Sequence, residues 1–451
     1  MTLSRRTILL GAGSLPFAVA SFRTAALAQS PSAEKGYDVP PILFVHGNGD
    51  YDAVWMTTMW RMESNGIARD RMTAINFTNP TARDDNTVAQ ANCSSTEDQR
   101  RELAAAITEL KHRTGAQRVA LVGSSRGGYT IRNAVKNGNV YDVSHVVLCG
   151  TPNHGVFALD TRLNSEFNGR GPFLSGLNAG DSEVTPGVAF LTLRSDGIDK
   201  FAQSGTPDAP TGVTPDSAVL NGATNLKLGA LDHRETAFHP RAFREIYKFI
   251  AGREPALITI KPERSVRLSG LVTGTPGGMP TNIPVAGATV ELFHVDRNSG
   301  ERRGDVVYRW TTAADGRWGP AEVEATSPIE IVLTTPDAPT THFYRSPFPR
   351  SSNVVHLRAA RPFAPDEKDA GAVVIMSRPR GYFGLPRDIV LFDGKEPADV
   401  TPGVPAVSAS TLRFPASEVG RMIVAQFNEE RIVARIWPAS ENRIAVAELT
   451  Y

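Results

Sequence analysis

From Pro40 to about Arg253, short apolar runs alternate with longer segments whose apolar positions recur at helical spacing. Ile42-Leu43-Phe44-Val45, Arg118-Val119-Ala120-Leu121-Val122, His145-Val146-Val147-Leu148 and Val188-Ala189-Phe190-Leu191-Thr192-Leu193 are nearly continuous in apolar side chains, which suits strands covered on both faces. Between the first two, residues 96–114 place Leu103, Ile107 and Leu110 on one helical face, with Thr96 and Gln99 as a capping box and Gly115 as the stop. A second helix is expected over 126–138, directly after a strand. A third is expected over 240–251, where Phe243, Ile246, Tyr247 and Ile250 share a face. This alternation predicts an α/β domain with a mostly parallel sheet.

After Pro255 the pattern changes to short alternating runs such as Val266-Arg267-Leu268, Ala288-Thr289-Val290-Glu291-Leu292, Ile329-Glu330-Ile331-Val332-Leu333 and Met422-Ile423-Val424-Ala425, punctuated by Gly, Pro and Asp-Gly turns. An all-β region is expected there. Val285-Ala286-Gly287-Ala288-Thr289-Val290 followed by Ala314-Asp315-Gly316-Arg317-Trp318 resembles a prealbumin-like β-sandwich. The expected boundaries are a leader over 1–28, the α/β domain over 29–254, a β-sandwich over 255–360, and a further β domain, or a continuation of the same one, over 361–451.

Composition adds exclusions more than assignments. Lys plus Arg total 48 against 47 Asp plus Glu, a formal net charge of +1, so nothing argues for nucleic acid or an anionic membrane as partner. Arg5-Arg6 ahead of a short apolar stretch and Ala26-Leu27-Ala28 reads as a twin-arginine export signal. Export to the periplasm or beyond is therefore expected, with no membrane-spanning segment in the mature chain. Cys93 and Cys149 are the two cysteines, too few for a zinc site but able to form one bridge. No His-Glu-x-x-His or comparable metal cluster occurs, and the oligomeric state is not legible.

The chemistry concentrates in Gly123-Ser124-Ser125-Arg126-Gly127-Gly128, which follows a buried strand and opens a helix. Glycines on both sides of Ser125 permit the sharp turn that exposes a hydroxyl at the C-terminal edge of a sheet. A serine hydroxyl needs a base to take its proton and an acid to hold that base in the useful tautomer, arranged in the chain order serine, acid, histidine. His233, in the loop before the last helix, fits the base, whereas His239 precedes Pro240 and suits packing or capping. Asp196, directly after the apolar run 188–193, is the expected acid, with Asp199, Asp181 and Asp160 as competitors. The backbone N–H groups of Arg126 and Asn48, the latter in His46-Gly47-Asn48-Gly49, are the expected oxyanion donors.

Phe44-Val45-His46-Gly47-Asn48, the Ser125 elbow, Cys149-Gly150-Thr151-Pro152-Asn153-His154-Gly155 and Gly222-Ala223-Thr224-Asn225 through His233 together resemble secreted microbial lipases and esterases of the α/β-hydrolase superfamily. The likeness is greatest to the two-domain archaeal carboxylesterase/lipase type with a C-terminal β-domain. It covers residues 40–254 well and the tail only in architecture. The resemblance implies hydrolysis of carboxylic esters, such as acylglycerols, through an acyl-enzyme and without a cofactor. Two departures are evident: Ser124 stands where many lipases carry His, and Arg126 replaces the usual Met or Gln.

Trp55, Met56, Met59 and Trp60, close to the oxyanion loop, form either a wall for an acyl chain or an ordinary helix core face. The long Gly- and Asn-rich segment 151–186 suits a mobile cap. Two other readings stay open. In one, the β tail binds an insoluble polyester through aromatics such as Trp310, Trp318, Tyr344 and Phe348. In the other, a hydrolase scaffold serves as a non-enzymatic binding protein.

Overall fold

The apolar runs become a six-stranded sheet in which every neighbouring pair is parallel. The computed structural model describes residues 39–367 and 369–451, and the twin-arginine segment lies outside them. In chain order the strands are β1 (Ile42–Val45), β2 (Met72–Ala74), the two-residue pair β3 (Thr81–Ala82) and β4 (Cys93–Ser94), β5 (Val119–Ser124), β6 (Val143–Cys149), β7 (Ala189–Ser195), the small hairpin β8 (Gly205–Thr206) and β9 (Ala209–Pro210), and β10 (Thr224–Leu228). The main sheet runs β10-β7-β6-β5-β1-β2. Its central strands β1 and β5 are buried at every position, as their continuous apolarity requires. The edge strand β10 exposes Thr224, Asn225 and Lys227 and so leaves no apolar run in the sequence.

Helices cover both faces: α1 (Met56–Ser64), α2 (Thr96–Thr114), α3 (Arg126–Ala134), α4 (Pro172–Leu177), α5 (Glu235–Phe238) and α6 (Pro240–Ala251). Leu103, Ile107 and Leu110 of α2 join Ile131 of α3 against Leu43, Leu121 and Leu148 on one face of the sheet. On the other, Phe243, Ile246 and Ile250 of α6 pack with α1 against Phe44, Val122 and Leu191. The cap of α2 is Ser95 with Asp98, not Thr96 with Gln99: the Asp98 N–H donates to the Ser95 hydroxyl, and the Ser95 N–H donates to the Asp98 carboxylate. Helix α3 ends at Ala134, and a wider turn, Val135–Asn139, carries the chain past Gly138.

Beyond Val266 the regular elements are strands joined by loops and a few short 3-10 turns. A seven-stranded sheet takes Tyr308–Thr311, Thr289–His294, Ile329–Thr334 and Thr340–Arg345 and continues through Arg443–Glu448, Ala372–Ser377 and Ala409–Phe414. One sheet therefore crosses position 361, joined where Thr340–Arg345 pairs in parallel with Arg443–Glu448. Trp318, Tyr344 and Phe348 are buried, whereas Trp310 is 47% exposed. Three of the four aromatics considered for a polymer-binding face thus fill the interior.

The tail shares its core with the α/β part. A single apolar cluster runs from Phe44, Trp55 and Trp60 to Leu268, Trp318 and Val355. Polar ties accompany it. The Trp60 indole donates to Ser351 O at 2.9 Å, and Asn282 donates to Phe77 O and Asp50 O at 2.9 and 3.2 Å. Cys93 and Cys149 are separate buried thiols, not a bridge. Among the described residues no helix is long and apolar enough to cross a membrane.

Candidate active site

Ser125 stands between the last residue of β5 and the first of α3, with φ 53° and ψ −120°. A side-chain-bearing residue holds that conformation only where its surroundings impose it. Here its N–H donates to Cys149 O at 2.8 Å, and its carbonyl accepts from Gly128 N–H at 2.9 Å and from the Thr151 hydroxyl at 3.1 Å. Gly127 is required by contact: a Cβ there would lie 2.5 Å from Val45 O and 2.6 Å from His46 O. The helix start thus sits directly on the end of β1, and the Ser125 hydroxyl is left at the C-terminal edge of the sheet.

His233 reaches the same edge from the loop after β10. Gly150, one residue beyond β6 and at φ 55°, lets it approach: a Cβ on Gly150 would meet His233 O at 2.7 Å and Nδ1 at 3.3 Å. The imidazole is buried, packs edge-on against Phe201 at 4.6 Å between centroids, and holds Asp199 Oδ2 at 2.8 Å from Nδ1. Asp199 is itself buried, and its other oxygen accepts from Phe201 N–H at 2.8 Å. Among the described residues no hydrogen bond joins the Ser125 hydroxyl to His233 Nε2. Such contacts often tighten only with substrate present.

The aspartate that the structure brings to His233 is Asp199, and Asp196 lies elsewhere. Asp196 is exposed and accepts from Ala230 N–H at 3.0 Å, bracing a neighbouring turn. Strand β7 ends at Ser195, and Asp196-Gly197, with Gly197 at φ 128°, reverses the chain. An Asp-Gly pair directly after a strand is a turn signal, and that signal in the sequence points past Asp196 to Asp199. Asp181 is exposed, and Asp160 is an exposed partner of Arg170. His239 caps α6, its Nδ1 accepting from Arg241 N–H at 3.1 Å.

The two residues expected to supply oxyanion donors are Arg126 and Asn48. Arg126 N–H is the first of α3 and has no carbonyl one turn behind it. Asn48 follows β1, and its side-chain oxygen accepts from Ala82 N–H at 2.8 Å, which fixes the loop. Next to it, burial holds His46 down to about 4. The neutral ring donates from Nδ1 to Gly47 O at 2.8 Å and accepts at Nε2 from Phe77 N–H at 3.2 Å. A Cβ on Gly47 would come within 3.3 Å of Ser125 Cβ, so the loop lies against Ser125.

The Arg126 side chain points away from this chemistry. It is buried and paired with Glu166, and also donates to Pro80 O at 2.9 Å and to Ser94 O at 2.9 Å. Glu166 belongs to the segment 151–186, whose composition suits a mobile cap. Instead, Leu174, Leu177 and Phe173 pack on Tyr129 of α3, whose hydroxyl donates to Pro152 O at 2.6 Å. Of the two readings of Trp55, Met56, Met59 and Trp60, their burial favours the helix core face. They are buried in the core shared with the tail, Trp55 against Phe44 and Phe238 and Trp60 against Phe348. An apolar helix face next to a second domain is covered by that domain, which the sequence of α1 alone cannot reveal.

Residues 41–184 match the family model of palmitoyl protein thioesterases, and residues 264–362 match that of the lipase C-terminal domain. No curated protein matches the chain. Among solved structures it is similar to Aspergillus fumigatus lipase B, at 16% identity and a TM-score of 0.38 over 51% of this chain and 56% of that one. This chain thus spans little more than half of that lipase. Bacillus licheniformis lipase BlEst2 in its mature form gives 20% identity and a TM-score of 0.33 over 49% of this chain and 96% of its own. The propeptide form gives 14% and 0.37 over 88% and 93%. Likenesses of this size do not bear on activity.

Proposed function

We propose that this chain, a carboxylic ester hydrolase of the α/β-hydrolase lipase and esterase type with a C-terminal domain, is exported and cleaves esters of lipid-like acyl groups through an acyl-enzyme on Ser125. The observation that carries the mechanism is the buried Asp199–His233 pair, 2.8 Å apart, held over Gly150 at the strand ends where Ser125 emerges. As substrate enters, Ser125 Oγ attacks the ester carbonyl and His233 Nε2 takes its proton. Asp199 accepts from Nδ1–H, which fixes the tautomer and stabilises the imidazolium. The N–H groups of Arg126 and Asn48 receive the developing oxyanion. His233 returns its proton to the leaving alcohol, then activates the water that releases the acid.

The match to palmitoyl thioesterases favours a second substrate class for the same site, the acyl thioester. Hydrolysis of p-nitrophenyl esters from acetate to palmitate, alongside an acyl thioester series, decides between them, with Ser125→Ala as the control. Serine-dependent turnover rising with chain length on oxygen esters supports the reading. Turnover confined to thioesters would move it to the second class, and turnover that survives Ser125→Ala would end the mechanism.

A further inference from the structure

We infer that the C-terminal β region is part of the catalytic apparatus: its segment 378–387 clamps the loop that carries His233 and, through Lys200, the loop that carries Asp199. This rests on the reading of Ser125, Asp199 and His233 as the triad. Asp232, immediately before His233, is fully buried, and its Oδ1 accepts from the N–H groups of Arg234 and Glu235 at 2.8 and 2.9 Å. That oxygen shapes the loop, and the other belongs to the tail. Asp232 Oδ2 accepts from Tyr382 N–H at 2.7 Å and from Arg378 at 3.4 Å.

Arg378 extends to Glu235 at 2.7 Å, and Arg387 takes the second oxygen of Glu235 at 2.7 Å. The acids on both sides of His233 are thus held by guanidinium forks that the α/β domain does not contain. Arg234, the residue after His233, donates to Pro379 O as well. On the acid's side, Lys200 directly follows Asp199. Its ammonium donates to Ala406 O at 2.9 Å and lies 4.1 Å from the centre of the Tyr382 ring. Tyr382 is therefore common to both loops, its peptide gripping one and its ring the other.

Such an arrangement matters because a displacement of about 1 Å in a catalytic group costs about a hundredfold in rate, and both triad loops lack a regular element of their own. Arg378 and Tyr382 are positioning residues. They act through Asp232 and Lys200 and leave substrate binding alone.

The test compares folded full-length variants on a soluble short ester. Arg378→Lys keeps the charge and loses the fork. Arg387→Met, nearer the surface, serves should the first fail to fold. Ile423→Ala, in the outer β core, is the control for lost stability. The clamp predicts that kcat falls about tenfold or more with KM within about twofold, while Ile423→Ala lowers the melting temperature and spares kcat. It also predicts that Lys200→Met and Tyr382→Leu are non-additive in kcat. Additive effects, or kcat within about twofold of wild type in folded Arg378→Lys and Arg387→Met, overturn it. A second readout is independent of turnover: the low-field proton resonance of His233 Nδ1–H. Its loss or shift in a folded Arg378→Lys supports the clamp, and its persistence unchanged overturns it. Absence of Ser125-dependent turnover in the wild type would instead overturn the triad reading, leaving this resonance to judge the clamp.

Discussion

Arg126 and Glu166 form an ion pair in which both side chains are 1% exposed. The pair ties the first turn after Ser125 to the segment 151–186, and the remaining guanidinium hydrogens go to Pro80 O, Ser94 O and the Ser94 hydroxyl. Taking one partner away leaves a buried charge without compensation, which costs about 3–5 kcal/mol. Glu166→Gln should therefore lower stability by about that much in urea unfolding. The double replacement Arg126→Met with Glu166→Leu should cost less than either single change, since no charge is then stranded. Turnover of the folded double variant should stay within about threefold of wild type, because the proposed oxyanion donor at position 126 is the peptide N–H and not the side chain.

Asp199 and Asp196 lie three residues apart and make opposite predictions. Asp199→Asn leaves His233 without the acceptor that selects its tautomer, and kcat should fall about 10⁴-fold, as for triad acids generally. Asp196→Asn removes only the charge at an exposed turn contact to Ala230, whose N–H the Asn oxygen can still accept, so kcat should change less than about threefold. Measuring both variants on one short p-nitrophenyl ester settles the assignment. The reverse ranking would return the role to Asp196.

The legibility of this chain follows from what each residue is packed against. Strand β1, helix α2 and helix α6 are readable because local apolar spacing alone decides their burial, and Ser125 because the glycines around it are dictated by backbone contacts within one strand-turn-helix unit. His233 is readable from its place before the last helix. Asp199 is hidden because the three residues between it and β7 decide its direction, and the strand end offers a nearer aspartate. The buried face of α1 is visible in the sequence, but its cover, around Ser351 and Phe348, lies nearly 300 residues away. The acids beside His233 look like ordinary solvated loop residues until Arg378 and Arg387 arrive from the tail. Local periodicity carries no information about such pairings.

Met59 and Trp60 offer a direct test of core against acyl wall. Both are buried in the cluster that joins α1 to the tail, so Trp60→Ala should destabilise by about 3–5 kcal/mol and Met59→Ala by about 2–5 kcal/mol. The dependence of kcat/KM on acyl chain length should stay the same in both. A shift of the preferred chain length with little loss of stability would place these side chains against substrate instead. The same shared core predicts that a chain cut after Pro255 does not give a folded domain, because the cover of Trp60 is removed with the tail.

Asp52 and His46, on the turn and loop that follow β1, predict opposite responses of stability to pH. Burial raises the Asp52 carboxyl from an ordinary value of 3.8 to about 7, and Oδ1 has no hydrogen-bond partner. The folded state therefore holds this proton more tightly than the unfolded chain, so stability declines as pH rises from about 4 to about 7. Asp52→Asn removes that decline. Its gain should be as large as about 4 kcal/mol at pH 8, because each tenfold difference in proton affinity between the folded and unfolded states is worth about 1.36 kcal/mol. The gain should shrink to less than about 1 kcal/mol at pH 4, close to the ordinary carboxyl value, and vanish only below it, where the carboxyl is protonated in both states. His46 runs the other way. With its folded value lowered from 6.5 to about 4 by burial, its contribution is complete above 6.5 and is lost as pH falls toward 4. In Asp52→Asn the acid limb should therefore steepen relative to wild type. Urea unfolding at pH 4, 6 and 8 measures both contributions, and an Asp52→Asn gain that does not depend on pH would show that this carboxyl is not the titrating group.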